Sequence, residues 1–169
     1  MSPSEQSRLE ALGRAPEAIA LFNVALTSEL LVNACWHKAQ TQGGPSGLSW
    51  PAAFVILPLS LHPPTRESLP NSSRVTLAAW AVRNPHFVAD MDYRVAIMAS
   101  PTKRAIRHGL RVRRLELVDT ELVALGRPKK PVAKWPEELK ASVRAARLAG
   151  QWFGVTDVGL AFELLGVGS

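Results

Sequence analysis

The sequence of 169 residues contains one cysteine, Cys35. A lone thiol builds neither a disulfide framework nor a thiolate-rich metal site, and it fits a reducing cytoplasm. Long apolar runs are also missing. A membrane-spanning helix needs about 20 apolar residues. The best candidate, Pro51 to Leu61, is shorter and carries Pro58 inside it. The opening MSPSEQSRLE lacks the apolar stretch of a signal peptide, so no export and no membrane attachment are expected. Catalytic signatures are equally sparse. There is no G-x-S-x-G elbow, no Walker phosphate loop, no Rossmann glycine fingerprint and no H-E-x-x-H pair. The expectation is a chain that is not an enzyme and has no catalytic residue, cofactor or metal of its own.

Hydrophobic residues make up 47%, too rich for a disordered chain and enough for one domain with a proper core. The formal net charge is +6. Such a balance favours an acidic partner: nucleic acid, an acidic protein face or an anionic surface.

Hydrophobic spacing predicts a mainly α protein with one small β-hairpin. Residues 1–13 are polar and read as a flexible N-terminus, and residues 14–169 read as a single mostly helical domain. Pro16 opens a helical pattern through Gln40, with Ile19, Phe22, Leu26, Leu30 and Ala34 three or four apart. Leu21, Ala25, Val32 and Trp36 widen the stripe, as in a deeply buried helix. Gln42 to Gly47 reads as a loop. A buried helix starting at Pro51 should give way to an irregular, proline-fixed connection ending at Leu69-Pro70. A short helix from Arg74 to Arg83 should stop at Asn84-Pro85. Another runs from Asp90 to Ala99, with Ser100-Pro101 as a new cap or a kink and Gly109 as a C-cap.

From Arg113 the period changes to two, and RLELVDTELVALG reads as a hairpin near residues 113–126, turning at Asp119-Thr120 or through a longer loop. After the basic linker GRPKKPVAKWP, Pro136 opens a helix to about Phe153, and a last short helix spans about Thr156 to Leu165. Helices followed by a basic helix and a hairpin are the order of a winged-helix-like arrangement.

Candidate chemistry is thin. Glu29, Asn33 and His37 share a helix face, but a metal needs a further donor, and a solvated stripe is the better reading. Cys35 and His37 are too close in sequence to face each other on a helix, so an inert buried thiol is expected. Arg66 and Glu67 have no acid–base partner beside them and read as anchors or partner contacts.

The strongest local feature is KRAIRHGLRVRR. Lys103, Arg104, Arg107, Arg111, Arg113 and Arg114 concentrate six positive charges in a few turns of chain. Phosphates favour such a surface because bound cations release condensed counterions. The alternative is a solvated face with some arginines paired to Glu116 or Glu121. No aromatic residue lies in the patch, which argues against a single-strand stacking platform.

Three stretches carry a family resemblance: ALFNVALTSELLVNACW, GLSWPAAFVILPLSLHPPTRESLP and the terminal AGQWFG…AFELLGV, with the hairpin and the RHGL turn in support. Together they cover nearly the whole chain after residue 15. They resemble the middle component of bacterial three-component ABC systems, which pair an SMC-like ABC ATPase with small accessory proteins and are associated with defence against phage and other foreign DNA. Two departures are visible. Val24 follows Asn23 where the family pattern often has proline, and the Lys103–Arg114 stretch is uncommonly basic.

The resemblance implies a non-catalytic accessory subunit that bridges or regulates the ATPase, and the basic stretch of this chain adds the expectation of a contact with duplex DNA. It also implies that His62, Arg66 and Leu69 sit at a partner contact, and that Gln151-Trp152-Phe153 closes the core with Gly150 and Gly154 allowing close approach. The competing class is a stand-alone winged-helix DNA-binding regulator. A hydrolase using Cys35 or His62 ranks last.

Overall fold

The computed structural model describes residues 23–168. The expected flexible N-terminus, and the beginning of the first helix at Pro16 with Ile19, Leu21 and Phe22, lie outside the described residues.

Helix α1, Val24–Gln42, is the central element. The Asn23 side chain caps it by accepting from the Leu26 amide at 3.0 Å, and Gly43 ends it in the left-handed conformation at φ 73°. Every residue from Leu30 to Cys35 is buried, so the helix is covered around its whole circumference. Its most extensive partner is α6, Glu137–Val155, followed by the long α5, Pro85–Arg111.

Two glycines set the closeness of the α1–α6 pair. A Cβ on Gly150 would lie 2.9 Å from the Ala34 Cα, and one on Gly154 would lie 2.7 Å from the Thr41 Cβ. Only hydrogen fits at either position. Trp152, 1% exposed, sits between them in sequence and donates its indole N–H to the Val75 carbonyl at 2.9 Å.

The apolar run that begins at Pro51 is core. A 3-10 turn at Trp50–Ala52 leads into α2, Ala53–Leu61, in which every side chain except Phe54 is buried. The segment after α2 is not the irregular connection expected. A separate helix α3, Pro63–Ser68, forms because two prolines stand in its first turn, where no amide donor is needed. His62 caps it through Nδ1, 2.6 Å from the Thr65 hydroxyl. Leu69 is then extended, as a residue before proline must be.

Helix α4, Leu77–Arg83, is capped by Thr76, and α7, Val158–Leu165, by Asp157. Both are shorter than their sequence patterns. Helix α7 packs on α4 and α5.

Helix α5 departs most from expectation. It runs unbroken through Ser100-Pro101 and past Gly109 to Arg111. Pro101 removes only the amide that would have served Ile97, and Ile97 is 53% exposed, so water can replace that donor. The Thr102 hydroxyl donates to the Met98 carbonyl one turn back at 2.8 Å. Gly109 is not a cap. It is buried, and a Cβ there would lie 2.8 Å from the Ser28 hydroxyl and 2.6 Å from Leu115 Cδ1. Its role is to let α5 meet α1 and the sheet.

The hairpin is present, with β2 at Leu115–Val118 and β3 at Glu121–Ala124 joined by the two residues Asp119 and Thr120. A third strand was not expected. β1, Leu48–Ser49, emerges from the loop after α1 and pairs antiparallel with β3, placing Leu48 opposite Leu122. The strand order is β1-β3-β2. The buried residues of α1, the sheet and the surrounding helices form a continuous core.

Candidate functional site

The basic end of α5 comes first. Lys103, Arg104, Arg107 and Arg111 are all exposed, and Lys103, Arg107 and Arg111 follow one line along the helix at four-residue spacing. Arg113, exposed with φ 57°, turns the chain from the helix into β2. Among the described residues none of these five forms an ion pair.

Arg114 is different. Its Nε and Nη2 donate to the two carboxylate oxygens of Glu29 at 3.3 and 2.6 Å, tying the base of the hairpin to α1. The partners considered from sequence, Glu116 and Glu121, are not used. Glu121 accepts instead from the Gly47 amide at 3.1 Å, and Glu116 is exposed beside Asp119 on the hairpin. The dense cationic surface therefore lies on the helix, and the hairpin adds carboxylates.

The three candidate partner residues separate in role. The His62 ring caps α3 and meets Phe87 edge-on, with centroids 6.4 Å apart. Burial, then nearby Arg94, lowers its pKa, which keeps Nδ1 available as an acceptor. Arg66 faces a groove of about 730 Å³ between the chain after α3 and helix α6. Leu69, partly buried against the core, lines the same groove as Arg66. Arg144 and Arg147 on α6 line the same groove. Sequence reading missed this pair. Its signal was two arginines three residues apart, interleaved with the buried Ala145, Ala146 and Leu148.

Burial pushes the Cys35 thiol up to about 12, so it remains protonated and unreactive. A pocket of about 440 Å³ beside it is lined by Trp36, Gly43 and Val123 and includes no histidine. Glu29 is engaged by Arg114, and the Asn33 amide donates to the Glu29 carbonyl at 2.8 Å. His37 is lowered to about 4 by burial, with Arg147 and Arg127 adding repulsion. Among the described residues no three His, Cys, Asp or Glu side chains gather as a metal site, and no helix is long and apolar enough to cross a membrane.

The molecule is thus a mainly helical protein with a small three-stranded antiparallel sheet, a cationic helix end and a polar groove. The family model for the ABC-three component (ABC-3C) system Middle Component 3 matches residues 13–169, and the chain belongs to that family. Membership implies the other components of such a system as its partners. No curated protein and no solved structure gives a significant match.

Proposed function

We propose that this middle component is a non-catalytic accessory subunit that bridges or regulates an SMC-like ABC ATPase, in defence against phage or other foreign DNA. The single observation that carries the reading is the family match over residues 13–169. ATP turnover belongs to the partner, because this chain has no phosphate-binding loop.

Within the assembly, the exposed Lys103, Arg104, Arg107, Arg111 and Arg113 meet the phosphates of duplex DNA without reading sequence. Their support is exposure and alignment on one helix end. A winged-helix-like use of α5 and the hairpin draws support from β1, which joins the hairpin on its β3 side. The carboxylates of Glu116 and Asp119 leave the helix, rather than the hairpin, as the main phosphate contact.

Co-expression with the cognate ATPase tests the first part. The expected result is one stable complex in gel filtration, with no ATP hydrolysis by this chain alone. Turnover by the isolated chain, or failure to associate, overturns it. Fluorescence anisotropy on duplexes of unrelated sequence, at two salt concentrations, tests the second. Affinity should be similar for all duplexes and fall with salt at a slope of about −0.9 per neutralised phosphate. No duplex binding in the presence of the ATPase removes the DNA role.

A further inference from the structure

The groove beside α6 has the features of a protein-docking site. We propose that it holds an extended segment of a partner subunit, with an acidic side chain of that segment seated on Arg66 between Arg144 and Arg147. This rests on the reading of the chain as a middle component with protein partners.

Arg66 is half-prepared for a carboxylate. Its Nη1 donates to the Ser60 carbonyl at 3.4 Å and to the Ser142 hydroxyl at 3.1 Å, which anchors the guanidinium against α2 and α6. Its Nε is buried and has no hydrogen-bond partner among the described residues. Nε–H and the adjacent Nη2 form one of the two forks of a guanidinium, the geometry that receives both oxygens of a carboxylate. A buried charged donor left without an acceptor is costly, so a rotation of the Arg66 side chain that turns this fork into the groove and onto a carboxylate is favoured.

The surrounding charges select the occupant. Arg144 and Arg147 are exposed, and neither forms an ion pair among the described residues, although Glu67 and Glu138 line the same groove. Opposite charges on the two walls, Glu67 on α3 and Glu138, Arg144 and Arg147 on α6, complement a segment that itself carries both signs, acidic at the arginines and basic at the glutamates. The same glutamates repel a run of phosphates, and the lining has no aromatic ring to stack a base. A nucleic acid therefore fits poorly. The lining is too polar for the apolar face of an amphipathic helix, which leaves an extended chain as the better fit.

The test uses the full chain in complex with the other components of its system. A benzophenone-bearing amino acid replaces the exposed Ser73 at the groove wall, the complex is irradiated, and crosslinked peptides are identified by mass spectrometry. The expected product joins Ser73 to a partner segment containing Asp or Glu. The double variant Arg144→Glu/Arg147→Glu should weaken the complex at least about tenfold with an unchanged melting temperature, and reversing the captured acidic residue to Lys should restore it. Ser73→Trp, which obstructs the groove without changing charge, should also weaken the complex, and it serves if the double variant does not fold. An intact complex with wild-type affinity in these variants and no partner crosslink overturns the groove proposal alone, as does a crosslink to nucleic acid. Failure of the wild-type chain to form any complex overturns the partnership and the groove together.

Discussion

Arg114 and Glu29 join the start of the hairpin to the central helix through two hydrogen bonds, at 3.3 and 2.6 Å. Of the six cations between Lys103 and Arg114, this one is held by the fold, and the other five face solvent. The two groups should respond differently to substitution. Arg114→Ala is expected to cost about 1 kcal/mol, as for a well-formed but half-exposed pair, and to leave duplex affinity nearly unchanged. Lys103→Glu/Arg107→Glu/Arg111→Glu should do the reverse, weakening all duplexes alike, flattening the salt slope and leaving the melting temperature in place. Anisotropy and thermal melts on both variants decide it. A large affinity loss in Arg114→Ala would place that residue at the phosphates after all.

Trp152→Ala should destabilise the fold by about 3–5 kcal/mol, the usual cost of truncating a buried aromatic. The ring is 1% exposed, its centroid is 5.8 Å from that of Trp80, and its N–H serves the Val75 carbonyl. Urea denaturation measures the effect. An unchanged midpoint would mean that the ring contributes nothing to the core.

Gly150→Ala adds one methyl group where α6 crosses α1. With the Ala34 Cα 2.9 Å from the new Cβ, the helices must separate, at an expected cost of about 1–3 kcal/mol. Gly44→Ala, in a loop position with nothing within 4 Å of the added Cβ, should cost far less. Equal melting temperatures for the two variants would contradict the close crossing.

Stability should fall with acid before the carboxylates titrate. The His37 pKa is lowered from 6.5 to about 4, chiefly by burial, so between these values the unfolded chain binds a proton that the folded chain does not. Its neutral form leaves folding unopposed above pH 6.5. The penalty grows as pH falls from about 6.5 to about 4 and then levels off. His62 is shifted in the same direction. Denaturant midpoints across this range should decline for the wild type, and less for His37→Gln. A variant with the same slope as wild type would show that His37 is not the group responsible.

Cys35 should resist alkylation in the native state at pH 8, because burial holds the thiol near 12, and react promptly in urea. Rapid labelling without denaturant would show that the pocket beside it opens to reagents.

The sequence by itself determined the helices whose apolar spacing is strong, the hairpin with its Asp119-Thr120 turn, and the stretches that carry the family resemblance. These are local patterns, fixed by period, capping residues and side-chain size. Tertiary structure decided what local pattern left open. It ran α5 through Pro101, because one lost hydrogen bond on a wet helix face is outweighed by packing on both sides of it. It made Gly109 a contact rather than a cap, since only the arrival of Ser28 and Leu115 shows why a side chain is excluded. It recruited Leu48–Ser49 as a strand, a segment too short to declare itself without β3 beside it. It also divided the arginines: Arg114 to Glu29 across 85 positions of chain, and Arg66, Arg144 and Arg147 to a single groove. Charge is written in the sequence, but a charge acquires its partner only when the chain brings distant residues together, and that pairing separates a structural arginine from one left for another molecule.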